Sequence, residues 1–393
     1  MNRCIFIMLF SMILLPVLSV LGLGDLNKAL AAIFCWISLF CIRRIPSFNH
    51  FEKYYRRFVC FLIVYGGFEI ARCVTQGEFM TLFGNPSISL WLLLPFFGLL
   101  KPYQNFFHDI RLSVLILCFG SIVLFCVDAA IEAILGTFIL FLPLVWKLYH
   151  KTLSRALILI GMLTAVLWGI SEEGQRYVLV MIAMAVATFV ICDIQKNKKL
   201  ATVYIFGCFL VPILGFVLYF KTGISIFRYI GERSGVGYSF DTRTFLYVEV
   251  FKDLASNNAL LWGKGALGKY FSDYFYYLSD GSGDFYLRVA VESGFLMMLL
   301  KGGGLYVFAY IGLLLCSIYK CLKYGKNKYC LIFACILASH VFMLFIYEVP
   351  VFNLKHILYW IIIAFCNNEI FLRQCDFDVE SLYGMQNCRI TRI

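Results

Sequence analysis

The chain has 393 residues, 62% of them hydrophobic and only 15% charged, with a formal net charge of +11. Soluble domains carry about 45–50% apolar and about 25% charged residues, so this composition excludes an ordinary soluble enzyme or binding domain. The apolar residues fall in blocks of about 20 without alternation, which excludes a β-barrel and points to membrane-spanning helices.

Twelve spans are predicted in an all-α membrane protein, at 4–24, 26–42, 57–75, 79–100, 112–128, 130–147, 155–171, 177–194, 200–220, 294–319, 329–349 and 356–373. The first follows a single Arg3 and lacks a small-x-small cleavage site, so it reads as a span rather than a signal peptide. The basic residues lie mostly in short loops, where they report topology rather than nucleic-acid binding. One face carries 21 of the 34 Lys and Arg residues. The positive-inside rule therefore places both termini in the cytoplasm and the long segment 221–293 outside, between spans nine and ten. Residues 374–393 form a cytoplasmic tail without a readable motif. The 16 cysteines sit almost entirely in apolar blocks and none lies between 221 and 293. They read as small packing residues, and no pair has zinc spacing.

Segment 221–293 is the one long stretch unsuited to a bilayer. It mixes Arg228, Arg233, Arg243, Lys264, Lys269 and Arg288 with Asp241, Asp273, Asp280, Asp284 and Glu292, and it is dense in aromatics such as Tyr229, Phe240, Trp262 and Tyr274. Aromatic faces beside charged groups suit a sugar. Asp241 or Thr242 is expected to cap a helix running to about Ser256, with Phe245, Val248 and Phe251 or Leu254 near one face, lying on the membrane surface. Asn257-Asn258 ends it, and Gly263, Gly265 and Gly268 make a turn. A second helix is expected from an Asp284 cap through Leu287 and Ala290 to Gly294.

Several residues carry both a bland and a functional reading. Gly263 to Gly268 matches GxGxxG but lacks a βαβ context; it reads as a flexible turn, or as a backbone N–H nest that holds a phosphate with Lys264. Arg176, at the mouth of span eight, either snorkels or pairs with Glu172 or Glu173, or it binds phosphate oxygens in a fork, as does Arg243 at the start of the loop helix. Glu69 and Arg72, at i and i+3 on the outer end of span three, form a packing pair or a functional intramembrane pair. Lys301, before three glycines in span ten, reads as a snorkelling lysine. Asp284 is a helix cap or a base, with Asp241 and Glu292 as competitors. Of the five histidines none lies in the loop, and His340 reads as a satisfied packing residue.

The motif order Gly174-Gln-Arg176, Asp241-Thr-Arg243, Leu261-Trp262-Gly263-Lys-Gly265, Asp284-Phe-Tyr-Leu287 and Glu292-Ser-Gly294 resembles bacterial O-antigen polymerases of the Wzy type and the related O-antigen ligases. The likeness covers about half the chain. It implies a membrane glycosyltransferase of the bacterial inner membrane that needs no metal or other cofactor. Its substrate would be an undecaprenyl-diphosphate-linked oligosaccharide, polymerised on the periplasmic face into O-antigen, capsule or exopolysaccharide. It implies as partners the lipid bilayer, a chain-length regulator and a flippase, and no nucleic acid. The resemblance implies Arg176 and Arg243 as the essential arginines of two outer loops. An acceptor hydroxyl needs a base, and Asp284 is the expected one, with Trp262, Gly263, Lys264, Gly265, Arg233, Arg72 and Glu69 expected to bind substrate. Ligases carry His-Asn where this chain has Gly283-Asp284, which favours polymerase over ligase. A flippase or other transporter of lipid-linked sugars is the alternative of a different class; against it, no repeated halves or paired broken helices are visible in the sequence.

The topology is testable directly. Reporter fusions at Ser256 and at Lys326 are expected to report opposite compartments, with Ser256 outside; one compartment for both refutes the assignment.

Overall fold

The structure, a computed structural model, describes residues 3–40, 52–75, 79–84, 86–100, 105–126, 131–149, 151–171, 177–222, 244–273, 276 and 286–383. The helices are α1 Arg3–Val20, α2 Gly24–Phe40, α3 Lys53–Thr75, α4 Phe79–Gly84, α5 Pro86–Ser89, α6 Phe106–Cys126, α7 Glu132–Val145, α8 Thr152–Ser171, α9 Tyr177–Phe189, α10 Lys198–Thr222, α11 Thr244–Ser256, α12 Gly294–Tyr324, α13 Lys328–Ile346, α14 Leu354–Cys366, α15 Glu369–Arg373 and α16 Asp376–Leu382. A 3-10 stretch, Leu90–Leu99, continues α5. Two short strands, β1 Tyr270–Phe271 and β2 Leu287–Arg288, pair antiparallel.

Eight helices are long and apolar enough to cross a membrane, and four shorter apolar helices occupy the remaining expected spans. The protein is a multi-pass, all-α membrane protein. Its outward faces carry exposed apolar side chains, Val64, Leu153, Phe206 and Phe308 among them. Such a surface is unfavourable in water and matched to hydrocarbon. At the centre stands α13, whose Phe333, Ala334, Cys335, Leu337, Val341 and Leu344 are fully enclosed. Asparagines start the closing helices: the side chains of Asn327, Asn353 and Asn368 accept from the N–H of Cys330, His356 and Phe371. Each satisfies an otherwise orphaned donor of the first turn. The chain after α14 docks back by Lys328–Glu380, at 2.7 Å, and by Asp376 Oδ1 accepting from Lys328 N–H. Expected span twelve is therefore shorter than 356–373: its apolar helix stops at Cys366, and α15 begins after Asn367-Asn368.

The loop segment differs from expectation in two places. Helix α11 does end at Ser256, in a Schellman-type cap: Asn258 takes a left-handed φ of 53°, and Ala259 N–H reaches Leu254 O at 2.8 Å. Its buried stripe, however, is Leu246, Tyr247, Val250 and Leu254, while Val248 and Phe251 are exposed. The helix thus buries its i, i+4, i+8 face against the bundle instead of presenting the expected one. The second expected helix is absent among the described residues. Leu287–Arg288 is extended and pairs with Tyr270–Phe271, and Ser293 enters α12 from extended backbone. Cross-strand pairing there outcompetes local helix formation. Asp284 itself lies outside the described residues.

The feature that positions the site is an interruption in α12. This helix has 31 residues, but Gly303 departs from helical geometry at φ 68° and ψ −177°. Only glycine adopts such a conformation readily. The break frees carbonyls before it and N–H groups after it, and the loop supplies their partners. Lys264 and Gly265 N–H donate to Leu300 O (2.8 Å) and Lys301 O (3.1 Å); Gly304 and Leu305 N–H donate to Leu260 O (2.8 Å) and Leu261 O (3.2 Å). The two chains cross so closely that a Cβ on Gly303 would lie 2.3 Å from Leu261 O.

The break sets an expectation for two glycines of one helix. Gly303→Ala combines the strain of a positive φ, roughly 1–3 kcal/mol, with the clash against Leu261 O, and is expected to lower stability by at least about 2 kcal/mol. Gly312 sits in the same helix with open space around its Cα, so Gly312→Ala is expected to raise stability by about 0.5–1 kcal/mol. Thermal unfolding of the purified variants in detergent separates the two; equal effects contradict the built-in break.

Candidate functional site

The junction of loop, α3 and α12 gathers six of the residues singled out from sequence. Glu69 is fully buried and receives a hydrogen bond from Arg72 Nη1 at 2.7 Å. Arg72 also lies 3.4 Å from the carbonyls of Trp262 and Gly263. Tyr65 OH donates towards Gly302 O (2.9 Å) and Trp262 O (3.1 Å), and its ring stacks with Trp262 at 6.4 Å. The pair Glu69–Arg72 therefore anchors the loop as well as the helix end.

Of the two readings of Gly263 to Gly268, a turn or a phosphate-holding nest, the nest is not what these residues form. All six N–H groups are spent inside the protein. Besides the two that pair with α12, Gly263 donates to Ala259 O (2.7 Å), Ala266 to Glu69 O (3.2 Å), Leu267 to Cys73 Sγ (3.2 Å) and Gly268 to Gly265 O (2.9 Å). The positive φ values of Gly263 (70°) and Gly265 (90°) serve this plug. Lys301 does not snorkel: it is fully buried and donates from Nζ to Gly268 O at 2.7 Å.

The side chains of the plug nonetheless frame an open cavity of about 340 Å³, lined by Arg72, Asn257, Ala259, Gly263, Lys264, Leu267, Gly268 and Lys269. Lys264 is ion-paired with Asp253 and donates to Lys269 O at 3.0 Å. Behind it, Ser272 Oγ donates to Glu249 Oε2 at 2.7 Å. Burial pushes the Tyr270 phenol up to about 12; Arg288 opposes that shift, and Glu249 and Glu292 add to it.

A second centre, missed from sequence, lies at the connector between α13 and α14. Glu348 is buried and meets Lys355 Nζ at 3.0 Å, His340 Nδ1 at 3.0 Å and His356 Nε2 at 3.8 Å. His340 Nε2 meets Tyr310 OH at 2.9 Å, and the His340 ring stacks on Tyr359 at 3.9 Å. Lys355, His340 and His356 thus surround one buried carboxylate. His340 is satisfied, as expected, but as part of a charged cluster. The available signal was Glu348, Lys355 and His356 flanking Pro350 between two apolar blocks, the pattern of charges held inside a membrane bundle.

Two loop-end helices close on this connector. Tyr177, the first residue of α9, stacks on Tyr347 with ring centroids 4.0 Å apart. Tyr247 of α11 lies 2.9 Å from Ser293 Oγ and donates to Phe345 O at 2.9 Å. Arg176, Arg233, Arg243, Asp241 and Asp284 lie outside the described residues. Glu292 is exposed. Among the described residues no group of three or more His, Cys, Asp or Glu side chains is placed to hold a metal ion. No family model, no curated protein and no solved structure matches the chain.

The buried cluster makes a stability prediction. Glu348→Gln leaves Lys355, which is 14% exposed, without its countercharge and is expected to cost up to about 3 kcal/mol, the low end for removing one partner of a buried pair. Adding Lys355→Met is expected to recover most of that loss. Thermal unfolding of the purified variants in detergent reads both; a Glu348→Gln variant as stable as the native protein contradicts the assignment.

Proposed function

We propose that the protein is a polysaccharide polymerase of the bacterial inner membrane, with both termini cytoplasmic and the loop of residues 221–293 outside. It joins undecaprenyl-diphosphate-linked repeat units by glycosyl transfer. The observation that carries this reading is the closure of α9 and α11 on one connector. Arg176 immediately precedes Tyr177, and Arg243 precedes Tyr247 by four residues, and both tyrosines pack at Phe345–Tyr347.

The chemistry asks for two cationic forks and a carboxylate. The acceptor sugar's hydroxyl oxygen attacks the anomeric carbon of the growing chain's reducing-end sugar. The bond from that carbon to the diphosphate oxygen breaks, and undecaprenyl diphosphate leaves. Arg176 and Arg243 neutralise the charge that builds on the leaving group. A carboxylate takes the hydroxyl proton, and Asp284 is assigned that role. Exposed aromatics of the loop, Trp262 and Tyr276 among them, offer faces for sugar rings.

Arg176→Ala and Arg243→Ala are each expected to abolish polymer at near-normal protein level, and Lys at either position to restore it only in part, because an ammonium does not reproduce the fork. The readout is the surface glycan on a gel after gene deletion and complementation. Loss of a polymerase leaves single repeats; loss of a ligase leaves polymer on the carrier; loss of a flippase traps units inside. Full polymer from both Ala variants removes the diphosphate clamp.

A further inference from the structure

We infer that the cavity where α3 meets the loop binds the phosphate headgroup of a lipid. Arg72, Lys264 and Lys269 line it with Asn257; Glu69 pairs with Arg72 and Asp253 with Lys264. Donor capacity is left over. A guanidinium has five N–H donors, and among the described residues the one short contact of Arg72 is the 2.7 Å bond to Glu69; its carbonyl contacts are 3.4 Å. An ammonium has three donors, and Asp253 and Lys269 O engage two of those on Lys264. The cavity, about 340 Å³, falls in the range of about 300–1,000 Å³ typical of small-molecule sites.

The surroundings identify the source of the phosphate as a lipid. Phe61, Val64 and Phe68 are exposed on one face of α3 at i, i+3 and i+7, and the stripe ends at Arg72, whose guanidinium lies 6.0 Å from the Phe68 ring centroid. On the loop side, Leu261 and Trp262 are about half exposed beside the mouth. Tryptophan at such a border suits the headgroup level of a bilayer. An acyl or polyprenyl tail lies along the apolar stripe while its phosphate reaches the cations. Under the glycosyl-transfer reading, on which this one clause rests, the occupant is the acceptor's carrier lipid, whose diphosphate is held but not cleaved.

Binding of farnesyl diphosphate and of inorganic diphosphate to the purified protein in nanodiscs, measured by titration calorimetry, tests the site. The protein used carries Arg176→Ala and Arg243→Ala, so that the proposed clamp does not contribute. Farnesyl diphosphate is expected to bind, and Lys264→Gln and Lys269→Gln each to weaken it about tenfold, the worth of one charge-assisted hydrogen bond. Lys269 is exposed, so its variant reads the site even if Lys264→Gln disturbs the fold by unpairing Asp253. No binding, or unchanged affinity in both lysine variants, overturns the site. Inorganic diphosphate binding as tightly as farnesyl diphosphate overturns the lipid source. Because polymer formation is not read, failure here leaves the glycosyl-transfer reading untouched, and loss of that reading leaves lipid binding standing.

Discussion

The structure at the loop end depends on closing the gap in α12. Unpaired N–H and C=O groups at membrane depth cost several kcal/mol each, so a spanning helix breaks only where protein re-satisfies its backbone. Here the loop does so with four hydrogen bonds, two on each side of Gly303. After the break about 21 residues remain, roughly 31 Å of helix, enough to cross the hydrocarbon core unaided. The first turns of α12 are thereby released from spanning and serve to hold the loop. Lys301, Tyr65 and the Glu69–Arg72 pair all bond to the plug that fills the gap.

Buried charge gathers both at this plug and at the connector after α13. Desolvating an ion pair rarely adds stability over a hydrophobic replacement, whereas removing one partner is expensive. Glu69–Arg72 and the Glu348 cluster are therefore poor devices for stability alone. Each one joins separate elements: Arg72 contacts the loop carbonyls of Trp262 and Gly263, some 190 residues away, and Glu348 bridges His340 of α13 to Lys355 and His356 of the next helix, α14. Their energetic role is specificity of arrangement, fixing which loop segment meets which helix end.

Much of the fold was legible because hydropathy is a local property. Every predicted span holds an apolar helix, and Asn257-Asn258 ends α11 because asparagine tolerates the left-handed conformation that a Schellman cap requires. The Glu69–Arg72 pair was legible because i, i+3 neighbours on a helix must meet. The failures were long-range. The glycines at 263, 265 and 268 signalled a turn but not where its N–H groups go, which depends on a helix break some 40 residues later in the chain. The extended backbone at Leu287–Arg288 depends on a partner strand, and a short run with an acidic residue before it looks helical in isolation. The Glu348 cluster arises from three helices and a connector, and no spacing rule joins Tyr310 and His340 to Glu348 and Lys355.

The two centres share one frame of aromatic rings. Trp262 stacks on Tyr65, Tyr65 meets Tyr306, Tyr306 stacks on Tyr310, and Tyr310 meets His340 edge-on at 6.1 Å, one hydrogen bond from Glu348. Tyr306 and Tyr310 are buried, so this run lies in close-packed interior rather than on a surface. Close packing transmits displacement, so the plug and the connector hold a fixed relation to one another. Under the proposed glycosyl-transfer reading, a site that aligns two large lipid-borne molecules would draw on that support, because small errors in placement are costly when positioning is the main source of rate.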